Sequence, residues 1–451
     1  MKTENFAHVG KPIIQRERYV AELLRLRGNG LVKVVTGIRR CGKSFLLFRL
    51  FKSRLLAEGV PADNILELAL DQEGSEPLRN PIRLGAHVRG WLGSRRGVRY
   101  VFIDEIQLAY RVKRDDVDPA KVAPEDRDLL FVTFHDVLNE LRARPGVEVY
   151  VTGSNSRMLS SDVATAFRDR GVEIRVRPLR FGEYVAATGA EKADALDDYL
   201  VWGGMPLAVL EPDETARANY LKGLFSKVYL KDIRERHKLR GDAVLDGLLD
   251  MLCSAVGSLT NPHRLVGSFR STLGIETSDR TMKKHLGYLE DAFLFSKADR
   301  WDVKGRHYLD YPSKYYAVDP GLRNAKLNFR QTEDTHLMEN VLYNELLARG
   351  CSVDVGVVEV PTTENGRSVV RPHEIDFVVN HGRRKTYVQS SYRLVGDEQA
   401  ERELLPLRKS GDFFRKIVVV YGSAKPREDA EGIVHVGIIP FLLDESILAG
   451  A

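Results

Sequence analysis

The chain has 451 residues, of which 43% are hydrophobic and 29% charged, and a formal net charge of +5. This is an ordinary folded composition. No apolar run approaches the roughly 20 residues of a membrane-spanning helix, and Cys41, Cys253 and Cys351 are too widely spaced for a disulfide framework or a zinc motif. The mild positive charge permits a nucleic-acid partner without requiring one. The first eleven residues carry no signal-peptide core, so the expected compartment is the cytoplasm.

Residues 12–30 read as a helix, with Ile13, Ile14, Val20, Leu23 and Leu24 at helical spacing and Gly28-Asn29-Gly30 as its stop. Strand and helix patterns then alternate as far as residue 190. Strands are expected at 31–35, 65–70, 99–103, 147–151 and 172–176, the signature of βαβ units in a mostly parallel sheet. The polar stretch 111–127, with Pro119 and Pro124, reads as a surface loop. Patterns are helical from 191 to 300 and strand-like and aromatic from 301 to 330. Beyond that come a helix at 337–348, strands at 352–360, 374–380 and 385–391, a helix at 397–410 and a strand at 416–421. Three domains are expected: 1–190, 191–330 and 331–451.

The first of these carries the chemistry. Residues 37–44 read Gly-Ile-Arg-Arg-Cys-Gly-Lys-Ser, a complete G-x-x-x-x-G-K-S phosphate loop between an apolar strand and the helix opening at Phe45. That strand–loop–helix context is what the motif requires. Its glycines let backbone N–H groups turn toward phosphate oxygens, and the following helix points its positive end at them. The expected cradle for ATP is Gly37, Arg40, Cys41, Gly42, Lys43, Ser44 and Phe45, with Lys43 reaching the β- and γ-phosphates. Ser44 and Asp104 are the expected Mg²⁺ ligands. Asp104 and Glu105 end the apolar run Tyr100 to Ile103, and Glu105 is the candidate to polarise the attacking water. Asn155 or Ser154, after the strand 147–151, is suited to contact the γ-phosphate. Arg170, with Arg168 as competitor, is the candidate trigger arginine from the same chain or a neighbour.

These residues and several later motifs occur together in order: Phe102-Ile103-Asp104-Glu105-Ile106-Gln107, Thr152-Gly153-Ser154-Asn155-Ser156, Arg177 to Tyr184, Trp202-Gly203-Gly204-Met205-Pro206, Leu230-Lys231-Asp232-Ile233, Tyr316-x-x-Asp319-x-Gly321-Leu322-Arg323 and Glu374-Ile375-Asp376-Phe377. In this the chain resembles a widespread group of bacterial and archaeal AAA-type P-loop ATPases with a C-terminal domain of unassigned function. The resemblance covers essentially the whole chain. It implies an α/β fold with an AAA-type ATPase domain, a helical winged-helix-like middle domain and an α/β restriction-endonuclease-like C-terminal domain. Asp169-Arg170 departs from the Gly-Arg usual in the group, keeping the arginine and losing the glycine.

In the middle domain, Ser278 is placed to cap a helix in which Met282, Leu286 and Leu289 share one face and Thr281, Lys284 and His285 lie largely on the others. An earlier helix spans roughly 262–271, and two strands joined by Val303 to His307 follow. Helix, helix, basic hairpin is the order of a winged helix-turn-helix, which makes Lys283, Lys284, Lys304 and Arg306 the DNA-binding candidates. In the last domain Glu339, Asp376 and Gln389 match three places of a nuclease-like core. A working site wants Asp, then Glu-x-Lys. Here Gln389 is neutral and Ser391 stands for the lysine, so efficient cutting is not expected.

The combined expectation is a Mg²⁺-dependent ATPase that self-assembles, with a hexamer among the forms open to it, and remodels or moves along DNA. Two alternatives remain at this stage: a nucleotide-gated regulatory or defence switch acting on a protein partner, and an ATP-fuelled nuclease.

Overall fold

A computed structural model describes residues 12–93, 96–153, 170–239, 243–305, 307–330, 333–364, 367–393 and 397–449. The chain divides into two compact units, Met1–Arg177 and Pro178–Ala451.

The first unit is built on strands β1 (Val32–Thr36), β2 (Ile65–Ala69), β3 (Arg99–Asp104), β6 (Val147–Thr152) and β7 (Gly171–Arg175). They form a parallel sheet in the order β2-β3-β6-β1-β7. Each lies within one residue of its expected bounds. Every residue of β1 and β6 is buried, as befits a parallel sheet covered on both faces. Alternation divides the burial. Val32, Val34, Ile103 and Val149 share a core cluster with Leu138 and Leu141 of the helix Phe134–Arg142. Phe51, Phe102 and Tyr150 pack as rings on one another, with centroids 5.0 Å (Phe51–Tyr150) and 5.5 Å (Phe102–Tyr150) apart. Lys33 is tolerated inside this strand because its ammonium pairs with Glu148 and sits 5.3 Å from the centroid of the Tyr150 ring. The stretch 111–127, expected as a loop, contains β4 (Val112–Lys113), which pairs antiparallel with β5 (Phe131–Val132) beyond its end.

Parallel pairing sets the site. Strands β3, β6 and β1 lie side by side, so the turns leaving their C-terminal ends converge at one edge of the sheet, where ligands of such sheets bind.

The second unit begins with helices and continues into a sheet of β8 (Leu259–Thr260), β9 (Phe295–Asp302), β10 (His307–Ala317), β11 (Ser352–Glu364), β12 (Arg367–His381), β13 (Arg384–Ser391), β14 (Arg415–Val420), β15 (Arg427–Glu428) and β16 (Ile433–Gly437). Among the described residues its order is β15-β16-β14-β13-β12-β11-β9-β10-β8. The sheet runs across residue 330, where the sequence suggests a boundary. The reason is a parallel pairing between β9 and β11, Arg300 opposite Val355 and Trp301 opposite Gly356. The helix Asp334–Ala348 covers the sheet with Leu337, Met338, Val341 and Leu342, which pack with Phe377 and Val388.

Two of the late sequence motifs interlock here. Asp319 caps the helix Pro320–Lys326 by accepting from Leu322 N at 2.9 Å, and its other oxygen accepts from Gly204 N at 2.6 Å. A Cβ on Gly321 would lie 1.9 Å from Trp202 O, and one on Gly204 would lie 2.2 Å from Leu179 O. Arg323, almost wholly buried, donates to Cys253 O at 2.7 Å and to Glu333 at 3.0 Å. These motifs therefore hold backbone segments at contact distance.

Candidate active site

The phosphate loop leaves β1 at Thr36. Gly37 has φ 137°, and a Cβ there would meet Val176 O at 2.1 Å, so the position admits only glycine. Gly42 and Arg40 also have positive φ. From Lys43 the chain is helical to Ala57, with Leu46–Phe51 wound as a π-helix. Lys43 is buried and its Nζ donates to Gly37 O at 2.9 Å and Ile38 O at 3.0 Å, closing the loop on itself. The Cys41 side chain turns into the core, its thiol donating to Val176 O at 3.4 Å, which leaves only its backbone for the loop. Arg40 is exposed and Phe45 half-buried.

Three strand ends meet at this loop. Ser44 Oγ donates to Asp104 Oδ1 at 2.9 Å, and Thr152 Oγ1, at the tip of β6, donates to the same oxygen. Glu105 N donates to Thr152 Oγ1 at 3.0 Å. Glu105 has φ 52°, a left-handed conformation that a non-glycine residue adopts at a cost of order 1–3 kcal/mol. Its carboxylate accepts from Gln107 Nε2. Burial pushes the Asp104 carboxyl up to about 6, against the lowering effect of the Thr152 and Ser44 hydroxyls, with Glu105 and Asp71 adding to the rise. A hydroxyl and a carboxylate presented together in a buried place form a hard oxygen donor set suited to Mg²⁺. Thr152 and Gln107 were missed as site residues. The signal for Thr152 was available, since it is the hydroxyl residue that directly follows the expected strand 147–151.

Arg170 is at the other end of the sheet. Its carbonyl accepts from Val32 N at 3.0 Å, and Gly171 pairs with Val32, the first residue of β1. The loop starts after Thr36, the last. At about 3.3 Å per residue, roughly 16 Å separates the two ends. Arg170 is exposed there. Asn155, Ser154 and Arg168 lie outside the described residues.

The family description "AAA domain" matches residues 29–185, and "Domain of unknown function (DUF8612)" matches residues 193–333. Residues 29–185 form an AAA-type P-loop domain. An uncharacterised protein of Haemophilus influenzae is 29% identical over 440 residues, covering 96% of this chain and 100% of its own length. The uncharacterised protein MJ1544 of Methanocaldococcus jannaschii is 24% identical over 395 residues, 84% of this chain and 78% of that one. Among solved structures, Aeropyrum pernix ORC1 in complex with DNA overlaps 70% of this chain and 93% of that one at 14% identity and a TM-score of 0.29. Cdc6p of Pyrobaculum aerophilum overlaps 75% and 97% at 14% identity and 0.28. Overlaps this loose carry no argument about partner or action. The AAA domain rests on its motif, its strand order and the family match.

The DNA-binding candidates are distributed differently from expectation. Lys283 and Lys284 are exposed on the helix Asp279–Asp291, with Lys284 Nζ 5.7 Å from the centroid of the Tyr288 ring. His285, expected off the apolar face, is buried and its Nδ1 bonds to Thr281 O at 2.8 Å. A bond to the carbonyl four residues back turns the ring onto its own helix. Among the described residues of the hairpin tip, several are held by neighbouring groups. Asp302 Oδ1 accepts from Lys304 N and Gly305 N, Val303 is buried, and Lys304 Nζ donates to Glu359 O at 2.8 Å, on β11. Arg306 lies outside the described residues. No helix of the described residues is long and apolar enough to cross a membrane.

Among the residues expected to match a nuclease-like core, Asp376 N donates to Gln389 Oε1 at 3.2 Å, and Ser391 Oγ donates to Arg393 O at 3.3 Å. Ser391 stands where that pattern has a lysine. The structure supplies one from β10: Lys314 Nζ lies 2.8 Å from Glu339 Oε1.

Proposed function

We propose that the chain is a Mg²⁺-dependent ATPase that assembles with itself and couples hydrolysis to remodelling of, or movement along, DNA. The observation that carries the hydrolytic half is the convergence of Ser44 and Thr152 on one oxygen of Asp104, beside the phosphate loop and Glu105. Phosphate oxygens would exchange for the two carbonyls that Lys43 now serves, and the loop N–H groups and the helix start would hold the same anion. Mg²⁺, held by Ser44 and Asp104, would supply Lewis-acid charge neutralisation across the phosphates. Glu105, aimed by its left-handed backbone and by Gln107, orients water and accepts its proton. Thr152 ties Glu105 to Asp104 and so couples the two roles.

Arg170 precedes β7 at the end of the sheet away from its own phosphate loop, so a trigger role for it, with Arg168 as the competing residue, would require a neighbouring copy. Mixing Glu105→Gln subunits with Arg170→Ala subunits should restore part of the ATPase activity that each lacks alone, because some mixed interfaces join an intact arginine to an intact glutamate. Steady-state hydrolysis across mixing ratios checks this. A chain monomeric by light scattering in saturating ATP would remove the trans mechanism.

DNA contact rests on the exposed Lys283 and Lys284. Replacing both with alanine should weaken duplex binding and reduce the slope of log K against log salt by about 2, since each lost phosphate contact releases one fewer counterion. An unchanged slope by fluorescence anisotropy would take this helix out of the interface. One observation favours the switch reading: Lys304 is tied to β11, so fewer cations stand ready for a phosphate backbone. An ATPase rate indifferent to DNA would bring that reading forward.

A further inference from the structure

The second unit holds a cavity of about 570 Å³, lined in part by Lys314, Glu339, Glu374, Asp376, Ser390 and His373, that plays no part in the nucleotide site. On its lining lies a centre of mixed charge, with Lys314, Glu339 and Asp376 buried and Glu374 half-buried. Lys314 Nζ is 2.8 Å from Glu339 Oε1, 2.5 Å from Glu374 Oε1 and 3.7 Å from Asp376 Oδ1. The Tyr316 hydroxyl donates to the same Glu339 oxygen at 2.7 Å. Asp376 Oδ2 accepts from Ser390 N at 2.8 Å, and Gln389 Nε2 donates to Glu403 at 2.9 Å. Ser390 is 7% exposed, and its Oγ has no partner among the described residues.

We propose that Lys314 is a built-in cation holding the place of a divalent metal ion between Glu339, Glu374 and Asp376, and that removing its ammonium turns the centre into a divalent-cation site. The three carboxylates come from a helix and a neighbouring strand and converge on one nitrogen. Oxygen donors grouped around a single buried cation, with a further unpartnered hydroxyl nearby, are the donor set a hard metal ion takes. An ammonium and a divalent ion sharing the same carboxylate oxygens repel each other, so the lysine excludes the metal. Burial draws the Lys314 ammonium's pKa down, but Glu339, Asp376 and Glu374 together raise it further, so it stays charged. The neutral Gln389 and the serine at 391 fit the same picture, because a centre filled by lysine has no need of a fourth acidic ligand or a second lysine.

Nucleotide-free full-length protein titrated with Mn²⁺ by calorimetry tests this. Wild type and Asp376→Asn should take up Mn²⁺ equally weakly. Lys314→Met, which keeps the side-chain bulk and removes the charge, should gain a site at least about tenfold tighter than wild type. Adding Asp376→Asn to Lys314→Met should abolish it. The melting temperature of Lys314→Met should rise with Mn²⁺ while that of wild type does not. Mn²⁺ uptake by wild type that Asp376→Asn removes would overturn the proposal. So would a folded Lys314→Met that binds no more tightly than wild type. Should Lys314→Met not fold, the comparison of wild type with Asp376→Asn decides alone: equal titrations support the lysine as occupant, and a difference contradicts it.

Discussion

Glu105→Gln is expected to keep ATP bound while its turnover falls by roughly 10²–10⁴-fold, the usual worth of a positioned general base. The amide keeps the size of the carboxylate and its place at the end of β3, but cannot take the proton from water. Lys43→Ala should instead lose ATP itself. Its ammonium is buried and bonded to two loop carbonyls, so it is the fixed cation that phosphate oxygens would meet. Equilibrium binding of a fluorescent ATP analogue beside single-turnover hydrolysis separates the two variants. Equal hydrolysis rates for wild type and Glu105→Gln would remove Glu105 from its role. Gln107→Ala should lie between, because it frees the carboxylate that Gln107 holds without removing it.

The largest effect on stability is expected at Gly321→Ala. The added Cβ would sit 1.9 Å from Trp202 O and 3.0 Å from Gly203 N, both backbone atoms. No rotamer change relieves that, and the segments are held together by Asp319, so a loss of about 3 kcal/mol or more follows. Gly287→Ala on the helix Asp279–Asp291 is the control. Nothing lies within 4 Å of its would-be Cβ, and helix propensity should make it neutral or stabilising by up to about 1 kcal/mol. Urea unfolding of both variants checks the contrast. Asp319 adds a pH signature. Burial pushes its carboxyl up to about 6 from an ordinary 3.8, against the lowering effect of the Gly204, Leu322 and Gly321 amides. The folded state thus holds the proton more tightly than the unfolded one. This contribution is fully present below about pH 4 and lost as pH rises through about 6, a change on the order of 3 kcal/mol. Asp319→Asn should flatten that part of the profile.

How much was legible in the sequence follows from the range of each interaction. The parallel sheet was readable because each strand is a short apolar run bounded by turns, and the phosphate loop because its geometry is local to eight residues. Asp104 and Glu105 were readable at the end of such a run. Thr152 was passed over in favour of its neighbours, since only the adjacency of β3 and β6 shows that its hydroxyl meets Asp104. Lys314 was missed for a similar reason. It lies 25 residues from Glu339 and about 60 from Asp376, and no spacing rule joins them. His285 misled because a histidine on a basic helix reads as a polar surface residue, whereas its ring is satisfied by a carbonyl of its own helix. The pairing of β9 with β11 across residue 330 was not legible, because the change of element pattern there is local and says nothing of which strands become neighbours.

Steady-state ATP hydrolysis by the full chain, with and without Mg²⁺ and with and without duplex DNA, tests the central claim most directly. The account predicts turnover that requires Mg²⁺ and rises when DNA is added. No hydrolysis in Mg²⁺ under either condition would contradict it.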